Sequence, residues 1–141
     1  MLMNLIYRCK HLKLEEGVYV KRPLIPVTLI GRVQSLNFTA VLDSGSDFIL
    51  LPLEVAESIG LEFNKEKKDT ANTYDGNTIS TTKSRVRIRI QKDREKQVFE
   101  CKCAVFLGKE TKFEEIIFGS SFFEHLKILF DYPHNKFQIK K

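Results

Sequence analysis

The sequence predicts a mainly β fold, a small closed barrel with two short helices. Three observations predict it. Runs of β-branched and aromatic residues recur along the chain, separated by Gly, Pro, Asn and Asp. One of them alternates strictly, with Arg85, Arg87 and Arg89 on one face and Val86, Ile88 and Ile90 on the other. Helix signals occur in only two short stretches. The 141 residues, 43% of them hydrophobic, suit one domain spanning 1–141 with a real core.

The elements follow in order. Residues 1–23 contain "NLIYRC" and "GVYVKR", read as strands around a turn at Glu15-Glu16-Gly17. Pro23 and Pro26 then place an edge or a bend at the start of "PLIPVTLIGRV". "SLNFTAVLD" alternates and then turns wholly apolar, as a strand entering a core does. "PLEVAESIG" reads as a helix, with Pro52 in its first turn and Gly60 just past its end. "NKEKKDT" is a charged loop. Asp75-Gly76 marks a hairpin between Thr- and Ile-rich flanks. "QVFECKCAVFL" is a further strand. "EEIIFGSSFFEHLK" is an apolar strand, then Gly119, then a short helix. "ILFDYPHNKFQIK" closes as a hairpin across Pro133-His134-Asn135.

Composition excludes several classes. The formal net charge is +5, but Lys83 to Gln97 alone carries seven Lys or Arg against two acids. The rest is near neutral, unlike a uniformly basic nucleic-acid binder. The basic run also lacks interleaved aromatics, so nucleic acid is not favoured as a partner and the Arg stripe reads as a solvated face. Cys9, Cys101 and Cys103 form neither a CxxC pair nor a zinc pattern with His11, His125 or His134, so no metal and no cofactor are expected. Reduced, buried thiols are expected instead, in a cytoplasmic protein. "MLMNLIYRCK" has no basic n-region and no small-residue cleavage site, and reads as a strand rather than a signal peptide. No run approaches the length of a membrane span.

"AVLDSGSDFILLP" carries the chemistry. An Asp followed by Ser-Gly often only makes a turn. Here apolar residues flank the insert on both sides, and a lone carboxylate at such a strand end is costly to desolvate. Asp43 supplies a carboxylate and Ser44 a hydroxyl. Gly45 would let another backbone approach, and Ser46 is small enough to leave room beside the acid. Ser44 has no base partner in the sequence, so it is not a nucleophile. Downstream, "IIFGSS" is a second apolar strand ending at a glycine. The two strands could cross beneath the carboxylate.

Together these motifs resemble the retropepsin-like aspartic proteases, single-domain relatives of the pepsins. Asp43-Ser44-Gly45-Ser46 matches the family's Asp-(Ser/Thr)-Gly-(Ser/Ala) after an apolar strand. Asp47 stands where a further acid is common. The hairpin from Asn72 to Ile79 falls at the place of the substrate-covering flap, and Ile116-Ile117-Phe118-Gly119 matches the apolar-apolar-Gly segment before the C-terminal helix. The resemblance covers about residues 24–141. Ser120 departs from it, because an Arg is frequent there. The helix "PLEVAESIG" has no counterpart in the retroviral enzymes and is more like the cellular and prokaryotic members.

The resemblance implies a closed barrel and hydrolysis of a peptide or protein substrate by water. Two carboxylates share one proton, one acting as base and the other as acid. This chain has a single Asp-(Ser/Thr)-Gly, so the second carboxylate would be Asp43 of a second copy in a C2 homodimer. Asp43 would be catalytic, with Ser44 and Gly45 as its support. Ser46, Asp47, Tyr74, Asp75, Gly76, Ile117 and Gly119 would line the peptide cleft. No membrane association is implied. Two alternatives stand beside this reading. One is a catalytically weak or inactive barrel that dimerises or binds peptides; the other is a basic nucleic-acid-binding β-domain.

Overall fold

The computed structural model describes residues 4–72, 76–108 and 116–141. The N-terminal strands are β1 (Asn4–Arg8), β2 (Lys10–Glu15) and β3 (Val18–Arg22). Then come β4 (Leu24–Ile30), β5 (Ser35–Leu42), β6 (Ile49–Pro52) and helix α1 (Leu53–Ile59). The hairpin strands β7 (Asp69–Asn72) and β8 (Thr78–Lys92) precede β9 (Glu95–Phe106) and β10 (Ile116–Phe118). Helix α2 (Ser120–Phe123), β11 (Lys127–Asp131) and β12 (Lys136–Lys140) complete the described chain. Among the described residues, no helix is long and apolar enough to cross a membrane.

The main sheet runs β4-β5-β10-β6-β9-β8-β7, and β8 pairs back onto β4 from Thr28↔Arg89 to Ile30↔Arg87. Six strands therefore close into a ring, with β7 continuing outward from β8. Where β8 meets β4 the ring has no free edge. Pro26, which has no N–H to donate, falls in the part of β4 paired with β5 alone. The expected edge is thus local to the start of β4.

Alternation fills the barrel. Val86, Ile88 and Ile90 of β8 are buried, as are Ile25, Val27 and Leu29 of β4, while Arg85 and Arg87 stay exposed. Cys101 and Cys103 share the buried face of β9, and Cys9 is buried as well. Outside the ring, β1, β12 and β11 form an antiparallel sheet that brings residues near both ends of the chain together. Tyr7 stacks on Phe137 there, with ring centroids 5.3 Å apart. Leu5 and Tyr7 join the same core as the barrel residues. The β2–β3 hairpin stands apart as a two-stranded sheet, turning at Glu16-Gly17 as expected.

Helix α1 shows one shift from expectation. Pro52 is extended and belongs to β6, one position before the helix, instead of within its first turn. Gly60 ends the helix as expected, at φ +83°, and its N–H donates to the Ala56 and Glu57 carbonyls. Gly60 also packs against Val33, whose N–H donates to the Ile59 carbonyl.

Candidate active site

Strand β5 delivers Asp43. It lies parallel to β10, with Ala40, Val41 and Leu42 in register with Ile116, Ile117 and Phe118. The two apolar strands therefore run side by side and do not cross. Their ends fall together, and the Asp43 N–H donates to the Phe118 carbonyl at 2.9 Å. After the polar loop the chain returns as β6 on the other side of β10, pairing Leu50 with Ile117. One strand end, β10, is thus held between the two arms of the loop.

The loop is closely knit. The Gly45 N–H donates to Asp43 Oδ1 at 2.9 Å, and the Ser46 N–H to the Asp43 carbonyl at 3.2 Å. The simplest reading of Asp-Ser-Gly, a side-chain-supported turn, is therefore correct as local structure. The same bond orients one carboxylate oxygen while the side chain stays exposed in the single chain. The Ser46 hydroxyl turns inward and donates to the Phe48 carbonyl.

Close backbone approach occurs at Gly119 and not at Gly45. A Cβ on Gly119 would stand 2.2 Å from the Ser46 carbonyl oxygen and 2.8 Å from that of Phe48. At Gly45 the nearest atom would be Asp43 Oδ1, at 3.2 Å. Past Gly119, the N–H groups of Ser120 and Ser121 donate to the Ser46 and Asp47 carbonyls at 2.8 and 3.1 Å. Helix α2 therefore starts as a clip over the acid-bearing loop. No Arg is needed for this clip; main-chain donors supply it.

The structure gathers Asp43, Ser44, Gly45, Ser46, Asp47, Ile117 and Gly119 at one end of the barrel through these pairings. Among the described residues, no hydrogen bond engages the Ser44 hydroxyl, and the Asp47 side chain is exposed. Gly76 takes φ +85° in the turn of the β7–β8 hairpin, which pairs Asn72 with Thr78. Tyr74 and Asp75 lie outside the described residues.

Sequence reasoning missed Ser121. Its hydroxyl is buried, accepts the Ile49 N–H at 3.1 Å and donates to the Lys102 carbonyl at 2.7 Å. It ties α2 to β6 and β9 beneath the loop. The signal was present as a second small polar residue after Gly119, but its partners are remote in sequence.

A closed β-ring with an Asp-Ser-Gly-Ser loop locked onto a second apolar-Gly strand defines an aspartic-protease-type domain. Residues 29–125 match the family described as "gag-polyprotein putative aspartyl protease", and the chain belongs to that family. The fold is also that of a solved retropepsin-like aspartic protease from Rickettsia conorii. That likeness has a TM-score of 0.61 at 19% identity, and covers 99% of this chain and 92% of the other. No curated protein matches the chain. The chain thus belongs to an aspartyl-protease family and has a retropepsin-like fold.

Proposed function

We propose that this protein is an aspartic endopeptidase that works as a homodimer, with Asp43 of each copy forming one catalytic pair. The observation that carries the reading is the state of Asp43. Its backbone is fixed to Phe118, one carboxylate oxygen is held by Gly45, and the side chain remains exposed at the barrel end. One chain offers a single such loop, and a two-fold axis beside it would bring in the second.

In the pair, one carboxylate takes a proton from water as that water attacks the peptide carbon. The other donates a proton to the carbonyl oxygen. The Gly45 N–H would hold one oxygen of the carboxylate in place for this exchange. Ser46, Asp47, Ile117 and Gly119 would shape the floor of the cleft. The hairpin carrying Tyr74, Asp75 and Gly76 would close over an extended substrate by strand-like pairing.

Asp43→Asn tests the reading. The amide oxygen can still accept the Gly45 N–H, so the variant should fold and sediment as the wild type does. It should cleave no peptide. Wild-type rates in a dimeric Asp43→Asn protein would assign the chemistry elsewhere. A folded wild type that cleaves nothing in a broad peptide library would favour the inactive, peptide-binding alternative.

A further inference from the structure

A groove of about 830 Å³ opens on the outside of the barrel, and Asp43 does not line it. It forms where β8 and β9 meet the Gly31-Arg32 turn and the segment that follows α1. Its lining includes the apolar Ile30, Leu61 and Phe48. It also includes five cations, Arg32, Lys83, Arg85, Arg87 and Lys102, against two acids, Glu62 and Glu100.

Some of these charges are already matched. Arg32 bonds Glu62 at 2.9 Å, Arg87 stands opposite Glu100, and Lys83 lies 3.9 Å from Asp69. Arg85 and Lys102 are different. They are direct cross-strand partners in the β8–β9 register, so they share one face, and both are exposed. Among the described residues, no salt bridge reaches either. Like charges directly opposite each other destabilise a strand pair. A carboxylate bridging the two would turn that repulsion into attraction.

The kind of anion follows from the rest of the lining. A run of phosphates laid along the groove would meet Glu62 and Glu100. A peptide can space its carboxylates to avoid them and can offer apolar side chains to Ile30, Leu61 and Phe48. Phe48 also joins this groove to the Asp43 loop, because its carbonyl accepts the Ser46 hydroxyl.

We propose that the groove is an exosite for an acidic, partly apolar peptide segment of the protein substrate, whose carboxylates bridge Arg85 and Lys102. The origin of the segment in a substrate rests on the protease reading; the binding itself does not.

The test uses the full-length Asp43→Asn protein and a short fluorescein-labelled peptide alternating Glu or Asp with Leu or Phe. Anisotropy should show the acidic peptide binding about tenfold or more tightly than its Gln/Asn twin. Arg85→Glu makes the cross-strand pair opposite in charge, so its melting temperature should hold or rise while acidic-peptide affinity drops about tenfold. In the otherwise wild-type enzyme, Arg85→Glu should raise KM for a substrate carrying the acidic segment and leave a short neutral substrate unaffected. Equal binding of the two peptides, or an affinity indifferent to Arg85→Glu, overturns the exosite. So does tighter, Arg85-dependent binding of single-stranded RNA of matched charge. Arg85-dependent peptide binding in a protein whose wild type cleaves nothing supports the acidic-peptide groove while overturning the protease reading and the segment's origin in a substrate.

Discussion

Gly119 rests against Ser46 so closely that a Cβ on it would stand 2.2 Å from the Ser46 carbonyl oxygen. Both contacting groups are backbone, so neither can move aside cheaply. The φ of Gly119 is −103°, open to any residue, and the constraint is purely steric. Gly119→Ala should therefore destabilise the fold by about 3 kcal/mol, read as a lower denaturant midpoint. Gly45→Ala meets only a side-chain oxygen, Asp43 Oδ1. It should cost about 1 kcal/mol or less, yet displace the carboxylate and slow peptide cleavage roughly tenfold or more.

Ser121 joins three elements through one buried hydroxyl. Ser121→Ala leaves the Ile49 N–H and the Lys102 carbonyl without that partner. The expected loss is about 1–3 kcal/mol, seen in equilibrium unfolding. A loss near zero would mean that water replaces the hydroxyl.

Alkaline pH should weaken the fold through its buried thiols and one buried phenol. Burial pushes the Cys101 thiol up to about 12, with smaller contributions from Glu124 and Glu100. Burial likewise pushes Cys103 and the Tyr7 phenol up to about 12, and Asp93 adds to the effect on Tyr7. A raised folded-state pKa means that the folded chain holds its proton where the unfolded chain releases it. The stabilisation is complete below about pH 9 and is lost as pH rises toward 12. Each thiol should cost on the order of 1.4 kcal/mol per pH unit in that window. Chemical denaturation between pH 8 and about 11 checks the slope, and iodoacetamide should leave both thiols unmodified at neutral pH in the folded protein.

Much of this was legible in local pattern. Alternation from Arg85 to Ile90 gave the inner face of β8, and two apolar runs broken at Asp43 and Gly119 gave the loop and the strand end that meet. What local pattern could not give was partnership. Nothing near Thr28 says that it pairs with Arg89 to close the ring, and nothing near Leu5 says that it pairs with Ile139. The Arg stripe was read as simply solvated because alternation assigns a face, not its neighbours. The Gly31-Arg32 turn and the chain leaving α1 at Gly60 make Arg85 and Arg87 part of one wall of a groove. Glycine was recognised as a sign of close approach, but the approach belongs to Gly119, since the strands lie parallel and not crossed.

The central claim is that one active site needs Asp43 from two chains. The direct measurement is a subunit-mixing titration. Wild type is unfolded and refolded with increasing Asp43→Asn, and peptide cleavage is measured per wild-type chain. A mixed dimer keeps one carboxylate, which cannot serve as base and acid at once, so it should be nearly inactive. Activity per wild-type chain should fall in proportion to the fraction of wild-type chains whose partner is also wild type. A flat titration, with constant activity per wild-type chain, would show that one chain suffices and contradict the shared Asp43 pair.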